Sequence, residues 1–372
     1  MPERLDPWKS EAVKNYEKLS KEFGISDFGS LVSKIPEPLL SMKRGIIFGH
    51  RDFDKIAESM HKKSKFVMMT GLMPSGKFHL GHKMVADEII YLQKNGARAY
   101  VCVADIEAYN MREKRLDELR KIAVEEYLTN YIALGLKPKN CDFYFQSSRS
   151  SDPEKSNAYY RLIGMVSKRA TFNEMKAIYG QLTPGKIMSV FTQVADILHP
   201  QLPEFEGRCP VVVPVGIDQD PHLRLTRDIA SRMKGNKDVD LIPPSSTYHE
   251  FMLGLKGGKM SSSDPYSYIA LSDDPNTVKD KINKYAFSGG RDTIKEHRQK
   301  GGNPDVDVSF QMLKFMFEPD DSKLKKIYND YKSGSLLTGE LKQILIERLQ
   351  SFLTQHQKKV ASAKKQVDKF LN

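Results

Sequence analysis

The sequence predicts an α/β fold: a Rossmann-like, doubly wound parallel sheet with a helical insertion, followed by a C-terminal α-helical domain. Three observations lead to this prediction. Short, fully apolar segments alternate with longer segments of helical periodicity, which is typical of βαβ units. Residues 150–207 are mostly helical in pattern and interrupt this alternation. From about residue 273 onward the chain is helical and rich in lysine.

The first βαβ unit is the clearest in the sequence. Residues 65–70 form an apolar segment of strand length, and a turn at 73–76 closes it. A helix follows over about 81–94, with apolar residues on one side, and Asn95-Gly96 ends it. Residues 99–104 are the next apolar strand. Because the links are short, we expect the two strands to be parallel.

The same alternation continues to residue 233. It predicts a helix over 116–134, a strand at 142–145, the helical insertion, a strand at 211–217 and a helix over 221–233. The whole chain is therefore predicted to divide into an N-terminal appendage (1–60), a Rossmann-like catalytic domain (61–272) and a helical domain (273–372). Its length of 372 residues is enough for two or three domains.

The composition predicts a cytoplasmic protein without a membrane span. Hydrophobic residues make up 40% of the chain and charged residues 28%, which is typical of soluble globular proteins. The apolar run at 210–215 is far shorter than the ~18 residues of a membrane span. Residues 1–6 contain no apolar core of a signal peptide. Cys102, Cys141 and Cys209 are widely spaced, which suggests neither a disulfide framework nor a zinc site.

The segment His79-Leu80-Gly81-His82 lies where a predicted strand has ended and a predicted helix begins. Backbone N–H groups and the helix dipole favour a phosphate at such a place. The two histidines lie on one side of the first turn, where each offers a ring N–H to a phosphate oxygen, and Gly81 lets a nucleotide approach the backbone. Metal binding or a chance pair of histidines are the alternatives. The strand before and the helix after favour a nucleotide.

The segment Lys259-Met260-Ser261-Ser262-Ser263 follows glycines at 254, 257 and 258. We expect the glycines to leave this loop mobile, so that its hydroxyl groups and its ammonium group can close on a triphosphate. A lysine on developing pyrophosphate charge stabilises the transition state more than the ground state. In isolation the segment fits a solvated Gly/Ser/Lys loop better, so its meaning depends on the histidine motif before it.

In this order and in a parallel α/β frame, the two motifs resemble those of the class I aminoacyl-tRNA synthetases, and the resemblance extends over most of the chain. It implies that the motifs flank one ATP. The amino-acid carboxylate then attacks the α-phosphorus of Mg-ATP, pyrophosphate leaves, and a tRNA ribose hydroxyl attacks the adenylate. Mg²⁺ is expected to arrive with ATP, since no residue cluster suggests a protein-held metal.

The resemblance implies roles for individual residues. Those implied in catalysis are His79, His82, Lys259, Ser261 and Ser262. Those implied in ATP binding are Gly71, Ser75, Gly81, Asp218 and Met260. Those implied in binding the amino acid are Met69, Cys102, Glu107, Tyr109, Gln193, Asp196 and Gln219.

Several segments are similar to one branch of that family, the tryptophanyl-tRNA synthetases of archaeal and eukaryotic-cytosolic type. They are 43–52, 216–221, 224–228, 286–293 and 301–303. Two others, 73–79 and 193–197, are similar to the archaeal tyrosyl-tRNA synthetases too. The sequence therefore favours L-tryptophan as the substrate and tRNA(Trp) as the acceptor, with tyrosine as the alternative.

The resemblance places Glu107, Gln193 and Gln219 at family positions that hold the substrate ammonium. A carboxylate and two amide oxygens are suitable acceptors for its three N–H donors. Outside the family context, the same residues fit a helix-cap acid and satisfied polar groups at strand ends.

The indole N–H needs an acceptor that the family pattern does not supply here. Met69 and Cys102 stand where tryptophanyl enzymes of the human type have a Tyr and a Gln for it. A buried N–H without a partner costs about 1–3 kcal/mol, so we expect Asp196 or Tyr109 to accept it. The tyrosyl family also has an Asp at position 196, for the substrate phenol. The tyrosyl family has a Tyr that also binds the phenol, and this chain has Met69 at that position. Met69 suits the flank of an indole better.

The helical domain resembles the anticodon-binding domain of the family, and the net charge of +11 modestly favours a polyanionic partner. The resemblance implies that the insertion forms a homodimer contact and one wall of the pocket. No DNA partner is expected. Two other classes remain as alternatives: a small-molecule nucleotidyltransferase, which shares an HxGH-like helix start, and a non-catalytic RNA-binding paralogue. Intact His79, His82, Lys259 and Gln219 argue against the second.

Overall fold

A computed structural model of the chain describes residues 16–111, 114–258, 260 and 264–371. The chain divides into two compact units. Unit 1 comprises the residues up to Ser75, Asp87–Glu250 and the residues from Lys364 onward, and unit 2 comprises Gly76–Ala86 and Phe251–Ala363. None of the helices in the described residues is long and apolar enough to cross a membrane.

Unit 1 is built on a sheet of seven strands, counted within the described residues. The strands are β1 (Ser26–Asp27), β2 (Ile47–Arg51), β3 (Val67–Leu72), β4 (Arg98–Val103), β5 (Cys141–Phe145), β6 (Val211–Gly216) and β7 (Ser245–His249). Their order across the sheet is β1-β2-β7-β6-β3-β4-β5. The five strands from β7 to β5 are parallel, whereas β2 pairs antiparallel with β7, and β1 antiparallel with β2. The predicted doubly wound parallel sheet is thus confirmed.

The helices of unit 1 follow the predicted alternation. They are α1 (Tyr16–Phe23), α2 (Leu40–Lys43), α3 (Phe53–Lys62), α4 (Leu80–Lys94), α5 (Asp105–Met111), α6 (Leu116–Ile122), α7 (Thr129–Leu134), α8 (Pro153–Ser167), α9 (Phe172–Tyr179), α10 (Pro184–Leu198) and α11 (Asp220–Arg232). Helix α4 begins in unit 2 and ends in unit 1. A π-helical turn (Ala123–Leu128) joins α6 to α7, so the helix predicted at 116–134 is one continuous element.

Helices α8, α9 and α10 form the predicted insertion, and their starts are fixed by capping residues. Asp152 accepts the Glu154 N–H at the start of α8. Thr171 forms a capping box with the third residue of α9. Thr183 caps α10 and is followed by Pro184. Proline suits this first helical position because a backbone N–H there would have no partner within the helix. The insertion is therefore helical because its sequence stops and restarts helices at these points.

Strands β2 and β7 were not predicted as strands, because both contain polar residues. Residues 47–51 fall within the predicted appendage, yet they form β2 of this sheet. All five residues of β7 are buried, although four of them are polar. The Tyr248 hydroxyl donates to the Asp220 carboxylate, which Arg51 of β2 also contacts at 3.0 and 3.1 Å. Internal hydrogen bonds therefore satisfy polar groups that would otherwise oppose burial.

Unit 2 has a helical core. Its further helices are α12 (Pro275–Tyr285), α13 (Ile294–Lys300), α14 (Val308–Met312), α15 (Asp321–Ser333) and α16 (Thr338–Ala363), with a π-helical turn at Leu313–Phe317. Helix α16 buries the apolar side chains of Leu341, Leu345 and Leu349. Side chains of Val278 and Ile282 on α12 are buried as well, and α12 packs against α16.

Glu88 of α4 is a carboxyl group buried under the sheet of unit 1. Its side chain is only 1% exposed and accepts the Thr247 hydroxyl of β7. Burial raises the pKa of Glu88 from its usual 4.5 to about 7, because a buried carboxylate loses its hydration. At a pH below the pKa of Glu88 in the unfolded chain, the neutral carboxyl contributes its full stability to the fold. This contribution is lost as the pH rises through the pKa of Glu88 in the folded protein.

Replacing Glu88 with glutamine should stabilise unit 1 at about pH 8, by up to about 3 kcal/mol, because it removes the cost of an ionised buried carboxyl. At about pH 5 the gain should disappear, since Glu88 is then neutral. Urea unfolding at the two pH values measures the difference. Glu58→Gln on the exposed face of α3 is the matched control. An equal effect of Glu88→Gln at both pH values would contradict the argument.

Candidate active-site residues

In unit 2, the two histidines of the HLGH motif are stacked at the start of α4. Their ring centroids lie 3.8 Å apart, with the planes 26° from parallel. The backbone N–H of Gly81 donates to Nδ1 of His79 at 3.1 Å, and the backbone N–H of His79 donates to Nδ1 of His82 at 3.2 Å. Because Nδ1 accepts in both rings, Nε2 carries the proton in both.

Both imidazoles are neutral at physiological pH. Burial lowers the pKa of His79 to about 4. Burial and the neighbouring His79 lower the pKa of His82 well below its usual value. Each ring therefore presents a neutral Nε2–H donor, which suits a phosphate oxygen and costs less to bury than an imidazolium.

The chain segment after the KMSSS loop holds this motif in place. The Leu80 N–H donates to the Ile269 carbonyl at 3.2 Å, and the Tyr268 ring lies 5.0 Å from the His79 ring. The Sδ atom of Met260 would lie 3.4 Å from a Cβ at Gly81, and His79 atoms would lie at 3.0–3.1 Å. A side chain at position 81 would therefore press against the His79 ring, which glycine avoids.

The remaining predicted residues of the loop, Lys259, Ser261 and Ser262, lie outside the described residues. The base of the loop is described and is tight. The Gly254 N–H donates to the Gly258 carbonyl at 2.6 Å, and a Cβ at Gly254 would lie 2.7 Å from the Ser267 carbonyl oxygen. Close backbone approach thus requires glycine at this position.

Unit 1 has its topological switch point between β3 and β6. From β3 the chain continues to β4 and β5 on one side and to β6 and β7 on the other. Val67 of β3 pairs with Val211 of β6, and Met68 pairs with Val212. Because these pairs lie at the start of both strands, the carboxyl ends of the two strands diverge. In open α/β sheets, ligands bind in the crevice at such a point.

The predicted ATP-binding residues of unit 1 lie at these strand ends. Gly71 is near the end of β3, is exposed, and has open space where a Cβ would be. Ser75 is half-buried in the loop after β3. Asp218 is buried in the 3₁₀ turn Ile217–Gln219 that follows β6. The described residues contain no group of three or more His, Cys, Asp or Glu side chains that could hold a metal ion.

The predicted amino-acid site occupies one face of the same sheet. Gly71, Cys102 and Tyr144 are register partners on β3, β4 and β5, so they point to the same face. Met69 lies two residues before Gly71 and shares that face. The Met69 and Cys102 side chains are buried, and α10 packs over β3. The sheet therefore brings together residues that are far apart in sequence.

Asp196 of α10 is the polar centre of this face. It is 3% exposed, and the hydroxyls of Tyr144 and Tyr159 both donate to its Oδ1 at 2.8 Å. The Gln146 amide donates to its Oδ2 at 2.7 Å. Burial raises the pKa of Asp196, although these donors and the Cys102 thiol oppose the rise by stabilising the carboxylate.

Three of these donors, Tyr144, Gln146 and Tyr159, were not predicted as site residues. Tyr144 lies within a predicted strand and Gln146 directly follows it, at the carboxyl end where ligands bind. Their position at the end of a predicted strand is the one feature of the sequence that indicates Tyr144 and Gln146 as site residues. Tyr159 belongs to the insertion, and nothing in its local sequence distinguishes it from a core tyrosine.

The other predicted substrate residues surround the same strand ends. The Glu107 N–H donates to the Gln146 Oε1 at 3.2 Å, which fixes the orientation of that amide. Gln193 on α10 and Gln219 after β6 are half-buried. Tyr109 is 57% exposed on α5, in contrast to Asp196. Of the two predicted indole acceptors, Asp196 is thus the buried one.

Comparison with known proteins matches this arrangement to one family. Residues 61–354 match the family described as tRNA synthetases class I (W and Y). The chain belongs to this family. It is 49% identical over 366 residues to the tryptophan–tRNA ligase of Aeropyrum pernix, a match that covers 97% of this chain and 96% of the relative. It is 44% identical over 372 residues to that of Methanocaldococcus jannaschii, covering 99% and 98%.

Solved structures of class I tRNA synthetases agree in fold. The crystal structure of tryptophanyl-tRNA synthetase from Aeropyrum pernix superposes with a TM-score of 0.90 at 48% identity, covering 98% of both chains. That of Plasmodium falciparum tryptophanyl-tRNA synthetase gives a TM-score of 0.82 at 33% identity, covering 96% of this chain and 95% of that one. The predicted resemblance to the class I synthetases, and to their tryptophanyl branch, is confirmed.

Proposed function

We propose that this class I synthetase is a tryptophan–tRNA ligase, which activates L-tryptophan with ATP and transfers it to tRNA(Trp). The observation that carries the proposal is the full-length identity of 44–49% to relatives named tryptophan–tRNA ligase. The family description by itself allows both tryptophan and tyrosine. Met69, in place of a phenol-binding Tyr, favours the larger indole.

For adenylate formation, we assign His79 and His82 to the triphosphate. Their neutral Nε2–H groups donate to phosphate oxygens, where charge develops as pyrophosphate leaves. Glycine at 81 avoids a clash with the His79 ring, and we assign to it the close approach of the nucleotide to the backbone. We assign Gly71, Ser75, Asp218 and Met260 to ATP as well, and Lys259, Ser261 and Ser262 to the departing pyrophosphate. Mg²⁺ enters with ATP as its counter-ion.

For the amino acid, we assign Glu107, Gln193 and Gln219 to the ammonium group. Asp196 accepts the indole N–H, and Met69 and Cys102 contact the flank of the ring. A carboxylate has about four acceptor sites, and Tyr144, Tyr159 and Gln146 use three of them. The Cys102 thiol also reaches this carboxylate, but it is a weak donor that an indole N–H displaces.

We further propose a cytoplasmic homodimer with tRNA as its macromolecular partner. The described cysteines are free, which suits a reducing compartment. The helices of unit 2 beyond residue 273 carry many lysines, which suit contacts to the tRNA backbone. The insertion, with exposed Phe172 and Met188, supplies apolar surface for a dimer contact.

Pyrophosphate exchange tests the proposal when tryptophan and tyrosine are compared side by side. Exchange should depend on tryptophan, with kcat/KM at least about 10³-fold higher than for tyrosine, because the smaller ring loses contacts in the pocket. Purified protein should then aminoacylate bulk tRNA with tryptophan. Preference for tyrosine would replace the proposal by the tyrosyl alternative, which an Asp at position 196 favours. Exchange without aminoacylation would indicate a small-molecule nucleotidyltransferase. If neither activity is observed, the result would indicate a non-catalytic protein.

A further inference from the structure

Arg149 is a buried cation directly behind the predicted amino-acid site in unit 1. It is 3% exposed, and its guanidinium donates to both carboxylate oxygens of Asp142 at 2.9 and 3.3 Å. Burying a guanidinium is costly even when it is paired, and a buried ion pair often adds no more stability than well-packed apolar side chains. The guanidinium also lies over the rings of Tyr100 and Phe205, at 5.5 and 4.6 Å, and two further contacts connect it with Asp196.

The first of these contacts is with Tyr144. The guanidinium carbon of Arg149 lies 3.9 Å from the centroid of the Tyr144 ring, and the hydroxyl of that ring donates to Asp196. A cation over a phenol face attracts the ring and makes its hydroxyl a stronger donor. Arg149 therefore fixes the position of the ring whose hydroxyl orients the Asp196 carboxylate.

The second contact is with His199, which follows the last turn of α10. Nε of Arg149 donates to Nε2 of His199 at 2.9 Å. Since Nε2 accepts, the proton of the neutral imidazole is on Nδ1, which donates to the carbonyls of Ala195 and Asp196 at 3.0 and 2.9 Å. Arg149 thus also fixes the backbone that carries Asp196.

We infer that Arg149, together with His199, is a positioning residue for recognition of the substrate side chain. The two contacts reach Asp196 by separate routes, one through its side-chain donor Tyr144 and one through its own backbone. They hold the acceptor site of the carboxylate in one direction. The inference deepens the proposed function, because it concerns the group that reads the amino acid, and it assigns no contact between Arg149 and substrate.

Variants of His199 separate positioning from packing. The His199 ring is surrounded edge-on by Tyr100, Tyr144, Tyr159 and Phe205, at centroid distances of 4.7–5.5 Å. Phenylalanine at 199 keeps an aromatic ring but removes the hydrogen bonds of both ring nitrogens. Glutamine places its amide oxygen near Nε2 and so keeps the acceptor for Arg149.

Pyrophosphate exchange with His199→Phe, His199→Gln, Arg149→Met and the surface control Arg208→Met tests the inference. His199→Phe and Arg149→Met should raise the KM of the amino acid about tenfold or more, with kcat and the KM of ATP within about twofold of wild type. His199→Gln and Arg208→Met should stay within about twofold in all three constants. Thermal unfolding of each variant shows whether it is folded.

The KM is measured for the amino acid that the wild type activates, whether tryptophan or tyrosine. If that amino acid is tyrosine, the proposed function is overturned, but the test of Arg149 can still be carried out. An unchanged amino-acid KM in folded His199→Phe overturns the inference. A parallel rise of both KM values with a fall of kcat, not rescued by His199→Gln, also overturns it, because that result indicates a merely structural role. If Arg149→Met does not fold, the two His199 variants decide.

Discussion

Replacing His82 with alanine should lower kcat for tryptophan-dependent pyrophosphate exchange by roughly 10²–10³-fold, and His79→Ala should act in the same direction. Each change removes one Nε2–H donor that we assign to the charge developing as pyrophosphate leaves. Binding of tryptophan in the absence of ATP should be unchanged, because both histidines are assigned to the triphosphate. Fluorescence titration with tryptophan and exchange kinetics at saturating ATP measure the two effects separately.

Glutamine and asparagine provide the matched controls for this prediction. The amide nitrogen of glutamine lies near the position of Nε2, whereas that of asparagine lies near Nδ1. His82→Gln should therefore recover part of the rate and His82→Asn should not. Equal rates for the two variants would contradict the assignment of Nε2–H as the donor.

The pH dependence gives a second check on the same residues. Because burial holds the pKa of His79 at about 4 and that of His82 well below its usual value, neither histidine titrates near neutrality. The ratio of wild-type to His82→Ala kcat should therefore stay constant between about pH 6 and about pH 8. A ratio that changes with an apparent pKa near 6.5 would indicate a charged imidazole in the wild type.

The central strands could be predicted because they are almost entirely apolar. β3, β4 and β6 are buried on both faces of a parallel sheet, so their sequences are nearly continuous apolar runs. β7 occupies an equally buried place with Ser, Ser, Thr, Tyr and His, because hydrogen bonds such as Thr247 to Glu88 satisfy its polar groups. Such bonds join residues that are distant in sequence, and no local pattern records them.

The same physical reason limits what sequence shows of the site. The HLGH motif could be predicted because its anion-binding geometry arises within a few residues, at the start of one helix. The Asp196 cluster joins residues separated by 52, 50 and 37 positions, so it exists only after β5, α8 and α10 have packed. Resemblance to a family supplied Asp196 itself, whereas Tyr144, Gln146 and Tyr159 required the fold.

Replacing Asp196 with alanine should raise the KM of tryptophan by about 10²-fold or more, for two reasons that add. The indole N–H loses the acceptor that we assign to it, and the hydroxyls of Tyr144 and Tyr159 and the Gln146 amide lose theirs, at about 1–3 kcal/mol for each buried group left unpaired. The KM of ATP should stay near its wild-type value. A near-normal tryptophan KM in this variant would exclude Asp196 as the indole acceptor.

A substrate analogue separates direct recognition from general damage to the pocket. Benzothienylalanine carries sulfur in place of the indole nitrogen, so it fills a similar volume without an N–H donor. The wild type should prefer tryptophan over this analogue by roughly 10–100-fold in kcat/KM, which corresponds to one buried hydrogen bond to a charged acceptor.

The Asp196→Ala variant should bind tryptophan and the analogue poorly and with little preference between them, because the missing carboxylate matters only to the substrate that donates an N–H. Tyr144→Phe is the matched comparison: it removes one donor that orients Asp196 but keeps the carboxylate, so the preference for tryptophan should fall less than in Asp196→Ala. If Asp196→Ala retained the full preference, another group would read the indole N–H.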